Sequence, residues 1–271
     1  MNIRHVTSFD IPGLEPYRTL KRPIEHQQQG IFVAEGEKVI RRLLTSPLCV
    51  LSILLTNEWF AAYRPLLERR PEPIDVYLAE KELMESIVGY PLHKGIMAIA
   101  RIPEQTAIES VVAANTRPLF FVAVDGIMNS ENLGVIVRNC ASFGVQALLV
   151  GETSCDPYLR RAVRNSMGNV FIIPIVYLTH IAEQLNTLRS SSGIKIVGAH
   201  PRDTSDVLGS IDLSGDICVV LGSEGTGISE QVLSVCDCTA TIPMKKGVDS
   251  INVGSASAVI LYEAQRQRSL R

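Results

Sequence analysis

Long apolar runs are missing from this 271-residue sequence. None reaches the ~20 residues that a membrane helix needs. The opening residues, MNIRHVTSFDIPG, lack the apolar core of a signal peptide, so cytoplasm is the expected location. Excess charge is missing too. A net charge of -2 argues against a broad basic field for non-specific nucleic-acid binding, although it leaves room for local basic patches. Cys49, Cys140, Cys155, Cys218, Cys236 and Cys238 make no zinc pattern: Cys236-x-Cys238 is tighter than a Cys-x2–4-Cys half-site, and no second half follows. Free and mostly buried thiols are expected. The five histidines are scattered with no HExxH, so no metal is expected. GxGxxG, GxxxxGK[ST] and GxSxG are all absent, which weakens a nicotinamide fold, a phosphate loop and a serine elbow in turn.

What is present describes a folded α/β protein. Hydrophobic residues are 46% and charged residues 20%, a globular balance. Residues 1–30, with three prolines, read as irregular. From Ile31 to Ala100 short strands and helices alternate, with strands at Ile31–Ala34, Val50–Leu55, Ile74–Leu78 and Gly95–Ala100. Asn57 is placed to cap a helix running to about Leu67. This makes a first α/β domain at 1–102. Residues 103–116 read as a linker, with a short helix possible at Ala107–Ala113, and 117–271 form a second α/β domain. In the second domain, Leu119–Val124 is apolar throughout, as a strand buried on both faces should be. Asn129 or Ser130 then caps a helix with Leu133, Ile136, Val137 and Cys140 on its core side. Arg138 lies about 200° around from Ile136 at ~100° per residue, free to reach a ligand or partner. Tyr158–Asn169 reads as a helix of this domain and Val170–Val176 as a strand in which Pro174 points to an edge or an irregular end.

The densest stretch is 217–263. A strand, Ile217–Leu221, ends in Gly222-Ser223-Glu224-Gly225-Thr226-Gly227. A second, Thr239–Met244, ends in Lys245-Lys246-Gly247. Asp249, Ser250 and Asn252 then lead into a helix at about 253–264. Strand ends followed by glycine-rich turns and helices form a ligand crevice in a mostly parallel sheet. The glycines suit a flat, hydrogen-bonding ligand such as adenine or ribose, and equally a mere tight turn. Glu224 fits a ligand hydroxyl, or a helix opening near Ile228 that it would cap. Asn252 fits a ligand contact or a helix N-cap.

Three blocks in order resemble the signature motifs of the SpoU (TrmH-like) branch of the SPOUT RNA methyltransferases. They are Asn132–Arg138 with Phe143-Gly144, then Leu221–Ile228, then Ile242-Pro243-Met244 with Asp249–Val253 and Leu261-Tyr262-Glu263. Phe32–Gly36 and Gly95–Ala98 resemble the family's amino-terminal substrate-binding domain, which is similar to ribosomal protein L30e. One departure is visible: Asn129 and Ser130 stand where the family often has Asp-Pro.

The resemblance implies a carboxy-terminal SPOUT domain with a parallel sheet and a deep trefoil knot, an exception to the rule against knotted chains. It implies S-adenosylmethionine as cofactor, an obligate homodimer with its active site at the subunit interface, and a 2′-O-methylated ribose in structured RNA, rRNA somewhat favoured over tRNA. Carried onto this chain, it implies Arg138, Asn132, Glu224, Ser250 and Asn252 as catalytic residues. It places the cofactor at Ala199, Leu221, Gly222, Ser223, Gly225, Ile242, Met244, Ser250, Ile251, Asn252 and Val253. Basic residues expected to hold RNA are Lys21, Arg22, Arg41, Arg160, Arg161, Arg164, Lys245 and Lys246. The alternative is a non-catalytic RNA-binding or ribosome-assembly protein on the same fold.

Overall fold

The computed structural model describes residues 1–88, 95–201, 205–245, 247 and 250–270. Two compact units emerge, Met1–Glu104 with Tyr158–Ile172, and Gln105–Pro157 with Ile173–Arg271.

The first unit runs β1 (Asn2–His5), α1 (Glu15–Arg18), α2 (Pro23–Gln28), β2 (Ile31–Glu35), α3 (Glu37–Thr45), β3 (Val50–Leu55), α4 (Asn57–Leu67), β4 (Asp75–Leu78), α5 (Lys81–Val88) and β5 (Ile96–Arg101). Its sheet has the order β1-β4-β3-β5-β2. β1 and β3 pair parallel with β4, while β5 pairs antiparallel with β2 and β3. The first 30 residues are therefore not all irregular. All four residues of β1 are exposed, so no apolar alternation announces the strand, and only its ladder to β4 reveals it. The cap of α4 is Thr56, whose hydroxyl accepts from the Trp59 amide, rather than Asn57, which is the first helical residue.

A half-buried ion pair fastens the β3 side of this unit. Arg70 donates to the carbonyls of Leu44, Ser46 and Leu48 and to Glu72 Oε1 at 2.6 Å. Glu72 also accepts from the Val50 amide at 2.9 Å. Burial pushes the Glu72 carboxyl up, but the bonds from Arg70 and Val50 outweigh it and hold the group below its ordinary range. A depressed carboxyl stabilises the fold above its unfolded value and loses that contribution as pH falls. Glu72→Gln is thus expected to cost about 1–2 kcal/mol at pH 7, with the gap to wild type shrinking below about pH 4.5. Urea midpoints at pH 7 and pH 4 check this; a gap that is constant with pH would contradict it.

The second unit begins with α6 (Ile108–Ala114), β6 (Phe120–Asp125), α7 (Ser130–Ser142) and β7 (Ala147–Val150). After α8 (Arg160–Asn165), which belongs to the first unit, it resumes with β8 (Ile175–Tyr177), α9 (Ile181–Ser192), β9 (Lys195–Ala199), β10 (Asp206–Val207), β11 (Ile217–Gly222), α10 (Glu230–Leu233), β12 (Cys238–Thr241) and α11 (Val253–Ser269). Its seven strands have the order β10-β12-β9-β11-β6-β7-β8, and every pairing is parallel. β6 and β11 are buried along their whole length, which explains their unbroken apolar sequences. β8 is the edge strand that Pro174 foreshadowed, but shorter than the Val170–Val176 expected. The polar stretch after His200 holds β10, a two-residue exposed strand too short to show any period.

Two helices, α7 and α11, pack together, and the end of α11 lies at the amino end of β6, where Arg268 donates to Pro118 O and Leu119 O. Asn129 caps α7 through bonds from the Glu131 and Asn132 amides. α7 packs against α11 at Gly254, where a Cβ would lie 2.8 Å from Val135 Cγ1. Asn139 Nδ2 ties the pair by donating to Gly254 O and Ser257 Oγ, both at 2.8 Å.

Tyr158–Asn169 departs from its expected place. Only Arg160–Asn165 is α-helical; a 3-10 turn follows at Asn169–Phe171. The segment packs on the first unit. Phe32 meets the rings of Tyr158 and Phe171 at 5.2 and 5.5 Å, and Arg42 Nη1 donates to Met167 O at 2.7 Å. Such contacts across more than a hundred residues leave no trace in local periodicity.

Candidate active site

β11 carries the chain to Gly222, where it must fold back at once. A Cβ on Gly222 would lie 2.2 Å from both Gly227 C and Ile228 N. Ser223 and Gly227 exchange backbone hydrogen bonds at 3.0 Å. The Thr226 amide donates to Ser223 Oγ at 3.1 Å, and Gly227 takes φ +72°, which glycine adopts without strain. The two earlier explanations of the glycine run therefore divide by residue. Gly222 and Gly227 serve the turn itself. Gly225 has open space where a Cβ would stand and is available to a ligand.

This turn forms one wall of a cleft of about 500 Å3, within the range of small-molecule sites. Ala199 at the end of β9, Leu221–Gly225 from β11 and its turn, Ile242 and Met244 beyond β12, Ser250–Asn252 before α11 and Val253 at its first position all line it. Every residue named above for the cofactor is thus brought to one cavity. The cleft adds His200, Pro201, Thr226, Gly227, Ala240, Thr241, Ala256 and Ile260. Ala256 and Ile260 follow Asn252 at successive steps of four, so helical spacing contained that signal. His200 and Pro201 carried none.

At the cleft mouth three polar side chains meet. Glu224 Oε1 accepts from Asn132 Nδ2 at 2.7 Å and from Asn252 Nδ2 at 2.6 Å, and Asn252 Nδ2 also reaches Asn132 Oδ1 at 3.0 Å. Asn252 Oδ1 accepts from the Gly254 amide and caps α11. Of the two roles considered for Asn252, the structure shows the N-cap, made by Oδ1, while Nδ2 is held by Glu224 and Asn132. Glu224 is no helix cap: Ser229 caps α10, and the carboxylate is committed to the two asparagines. Ser250 is exposed in the lining. Asp249 and Lys246 lie outside the described residues.

The lining suits a nucleoside with a polar tail. Leu221, Ile242, Met244, Val253 and Ile260 offer apolar contact. The peptide groups of 242–244 lie past the last residue of β12, outside the sheet. No lysine or arginine is in the described lining. Nor does it supply a nucleophilic thiol: burial raises the thiols of Cys140 and Cys218, Cys155 reaches about 11, and Cys236 about 12.

Residues 119–262 match the model of the SpoU rRNA Methylase family. The chain belongs to that family. Among its SpoU relatives, a Mycobacterium bovis protein named as an uncharacterized tRNA/rRNA methyltransferase is 30% identical over 275 residues, covering 98% of this chain and 93% of its own. The 23S rRNA (guanosine-2′-O-)-methyltransferase RlmB of Vibrio parahaemolyticus is 32% identical over 179 residues, 65% of this chain and 71% of its own. An AdoMet-bound rRNA methyltransferase from Sinorhizobium meliloti superposes with a TM-score of 0.84 at 21% identity, covering 97% and 98% of the two chains. This chain has the fold of the SpoU structures. The family match contains Asn132, Arg138, Glu224, Ser250 and Asn252.

Arg138, alone among the residues named as catalytic, lines neither this cleft nor a second one across the 223–227 turn. It is exposed on α7 and makes no side-chain hydrogen bond or ion pair with another described residue. Six residues separate it from Asn132, about 9 Å along the helix and on another face. The basic residues named for RNA also divide. Arg160 Nη1 donates to the buried Glu35 at 3.1 Å and is itself largely covered, which makes it a structural link within the first unit. Arg164 is exposed and lies 3.9 Å from the same carboxylate. Arg22 pairs with Glu25, and Arg41 sits over the Tyr63 ring. Lys21, Arg161 and Lys245 are exposed.

Proposed function

We propose that this chain transfers a methyl group from S-adenosylmethionine to a ribose 2′-hydroxyl in structured RNA, with rRNA favoured over tRNA. The observation that carries the proposal is the apolar, peptide-rimmed cleft with Glu224, Asn132 and Asn252 joined at its mouth. Relatives named as rRNA ribose methyltransferases and AdoMet-bound neighbours of the same fold support it. S-adenosylmethionine, when bound, supplies an electrophilic methyl on its sulfonium. The residues of the chain must align a 2′-oxygen with that methyl and help the hydroxyl release its proton. Leu221, Ile242 and Met244 hold the adenosyl part. Glu224, fixed by the two asparagines, and Ser250 orient the ribose. Arg138 is permanently protonated, with a pKa above ~12, so it acts as a stabiliser of the developing alkoxide or a clamp on the adjacent phosphate rather than as a base. Water or phosphate takes the proton.

Because Arg138 stands outside its own chain's cleft, the proposal includes a homodimer in which it serves the partner's site. Exposed Val259 and Tyr262 on α11, with Tyr262 edge-on to Phe143 at 6.3 Å, are apolar surface for that contact. It also includes a threaded carboxy-terminal knot, an L30e-like RNA-binding role for the first domain at 1–102, and a cytoplasmic location.

The direct test is calorimetry with S-adenosylmethionine, then methyl transfer to unmodified rRNA and tRNA with mapping of 2′-O-methyl sites. Cofactor binding without transfer to any RNA would favour the non-catalytic alternative. No cofactor binding and a monomer in sedimentation would end the proposal. Lys245 with Lys246 provides a separate check. Replacing both with alanine is expected to reduce the slope of log affinity against log salt by about 1.4, at ~0.7 per phosphate contact on single strands. An unchanged slope removes the pair from the RNA footprint.

A further inference from the structure

Across the 223–227 turn lies a second cleft, of about 590 Å3. It shares that turn and Val253 with the cofactor cleft, so Glu224 stands in the partition. Its chemistry differs. The described lining has three carboxylates, Asp125, Glu152 and Glu224, with several side-chain amides, and no lysine, arginine or histidine. Such walls repel phosphate and favour a neutral group that donates hydrogen bonds.

The carboxylates are not equally available. Asp125 is 5% exposed; its Oδ2 accepts from the Ser229 amide at 2.8 Å and its Oδ1 from Thr153 Oγ1 at 3.5 Å. Glu224 holds its two asparagines. Glu152 is exposed. Its Oε2 accepts from the Ile181 amide at 3.0 Å, which anchors the side chain at the start of α9, while Oε1 has no partner among the described residues. Met128, in the same lining, is 74% exposed, an unusual position for a thioether that packs well against flat rings.

We infer that this cleft receives the base of the target nucleotide, with Met128 against its face and Glu152 accepting N–H donors from its edge. The inference rests on the proposed function, since a methyl donor next door is what makes this a target site. It goes further in naming the residues that choose the base. Guanine presents two adjacent donors, N1–H and the 2-amino group, that one carboxylate can accept together. In uracil the single N–H lies between two carbonyl oxygens that the same carboxylate repels. Donor-rich bases are therefore selected, guanine first and uracil last.

The full chain, saturated with S-adenosylhomocysteine, should be titrated by ligand-observed NMR with guanosine, cytidine, adenosine and uridine. Guanosine is expected to bind roughly tenfold or more tightly than uridine, the discrimination of one bidentate contact. Glu152→Gln, which keeps the shape and loses the charge, should remove most of that preference without changing S-adenosylhomocysteine affinity. Met128→Ala should weaken all four nucleosides alike. Equal binding of the four by wild type, or an intact guanosine preference in a folded Glu152→Gln protein, overturns the inference. If Glu152→Gln fails to fold, the wild-type series and Met128→Ala still decide it. Failure to bind S-adenosylhomocysteine would instead count against the cofactor site, and the nucleoside series on the free protein would still test the base site.

Discussion

Arg138→Lys is expected to lower kcat roughly a hundredfold or more, the effect of removing one well-placed donor from a developing oxyanion. Charge is retained in this variant; what is lost is the planar fork that can hold two oxygens at once. The affinity for S-adenosylmethionine should be unchanged, because Arg138 lines no part of the cleft proposed for it. Thermal stability should be unchanged as well, because the side chain is exposed and bonds to no other described residue. Single-turnover methyl transfer, calorimetry and a melting curve on the same preparation separate these terms. A second measurement tests the shared site. Mixed dimers of Arg138→Lys with Asn252→Ala, each defective at a different place, should regain part of the activity if the arginine serves the partner's cleft. Normal turnover in Arg138→Lys would remove the residue from the mechanism, and no recovery in the mixed dimers would place it in its own chain's site.

Gly222→Ala should do the opposite, damaging the fold before the chemistry. The new Cβ would lie 2.2 Å from Gly227 C and Ile228 N and 2.5 Å from Gly227 O. These are backbone atoms, so no side chain can swing aside. Either the end of β11 or the turn must move, and the wall of the cofactor cleft moves with it. A loss of about 3 kcal/mol or more is expected, seen as a fall in Tm of roughly 6–12 °C, together with lost cofactor binding. Gly225→Ala is the control. Nothing lies within 4 Å of its Cβ position, so stability should be kept, and any loss of cofactor affinity would report crowding of the ligand. Equal stability of Gly222→Ala and wild type would mean the turn is not built as described.

The contrast between these two glycines shows how far the chain can be read unaided. Both belong to one motif, and spacing treats them alike. Only the return of Gly227 and Ile228 onto Gly222 distinguishes a glycine the fold requires from one left open to a ligand. Glu224 is similar. As the acid of a glycine-rich turn it fitted a helix cap or a ligand site. Its bonds to Asn132 and Asn252, 92 and 28 residues away, and the capping of α10 by Ser229 remove the helix-cap reading.

Sequence alone carries the α/β class, the central strands β6, β7 and β11, the helices that flank them and the glycine-rich turn, while the residues that meet in the first cleft were named by the resemblance to the SpoU motifs. These rest on local regularities, apolar runs for strands buried on both faces and fixed spacing within a motif, and such signals survive without knowledge of the fold. The remaining features come from contacts between distant segments. The tertiary structure showed β1, exposed throughout and formed only by pairing with β4. It took 158–172 from the second domain to the first, because the partners are Phe32, Glu35 and Arg42 more than a hundred residues earlier. It turned Arg160 from an RNA candidate into the partner of a buried carboxylate, and it revealed Glu152 and Met128, which no motif marks, in the second cleft. Each of these depends on contacts between segments far apart in the chain, and a contact of that kind has no period to read.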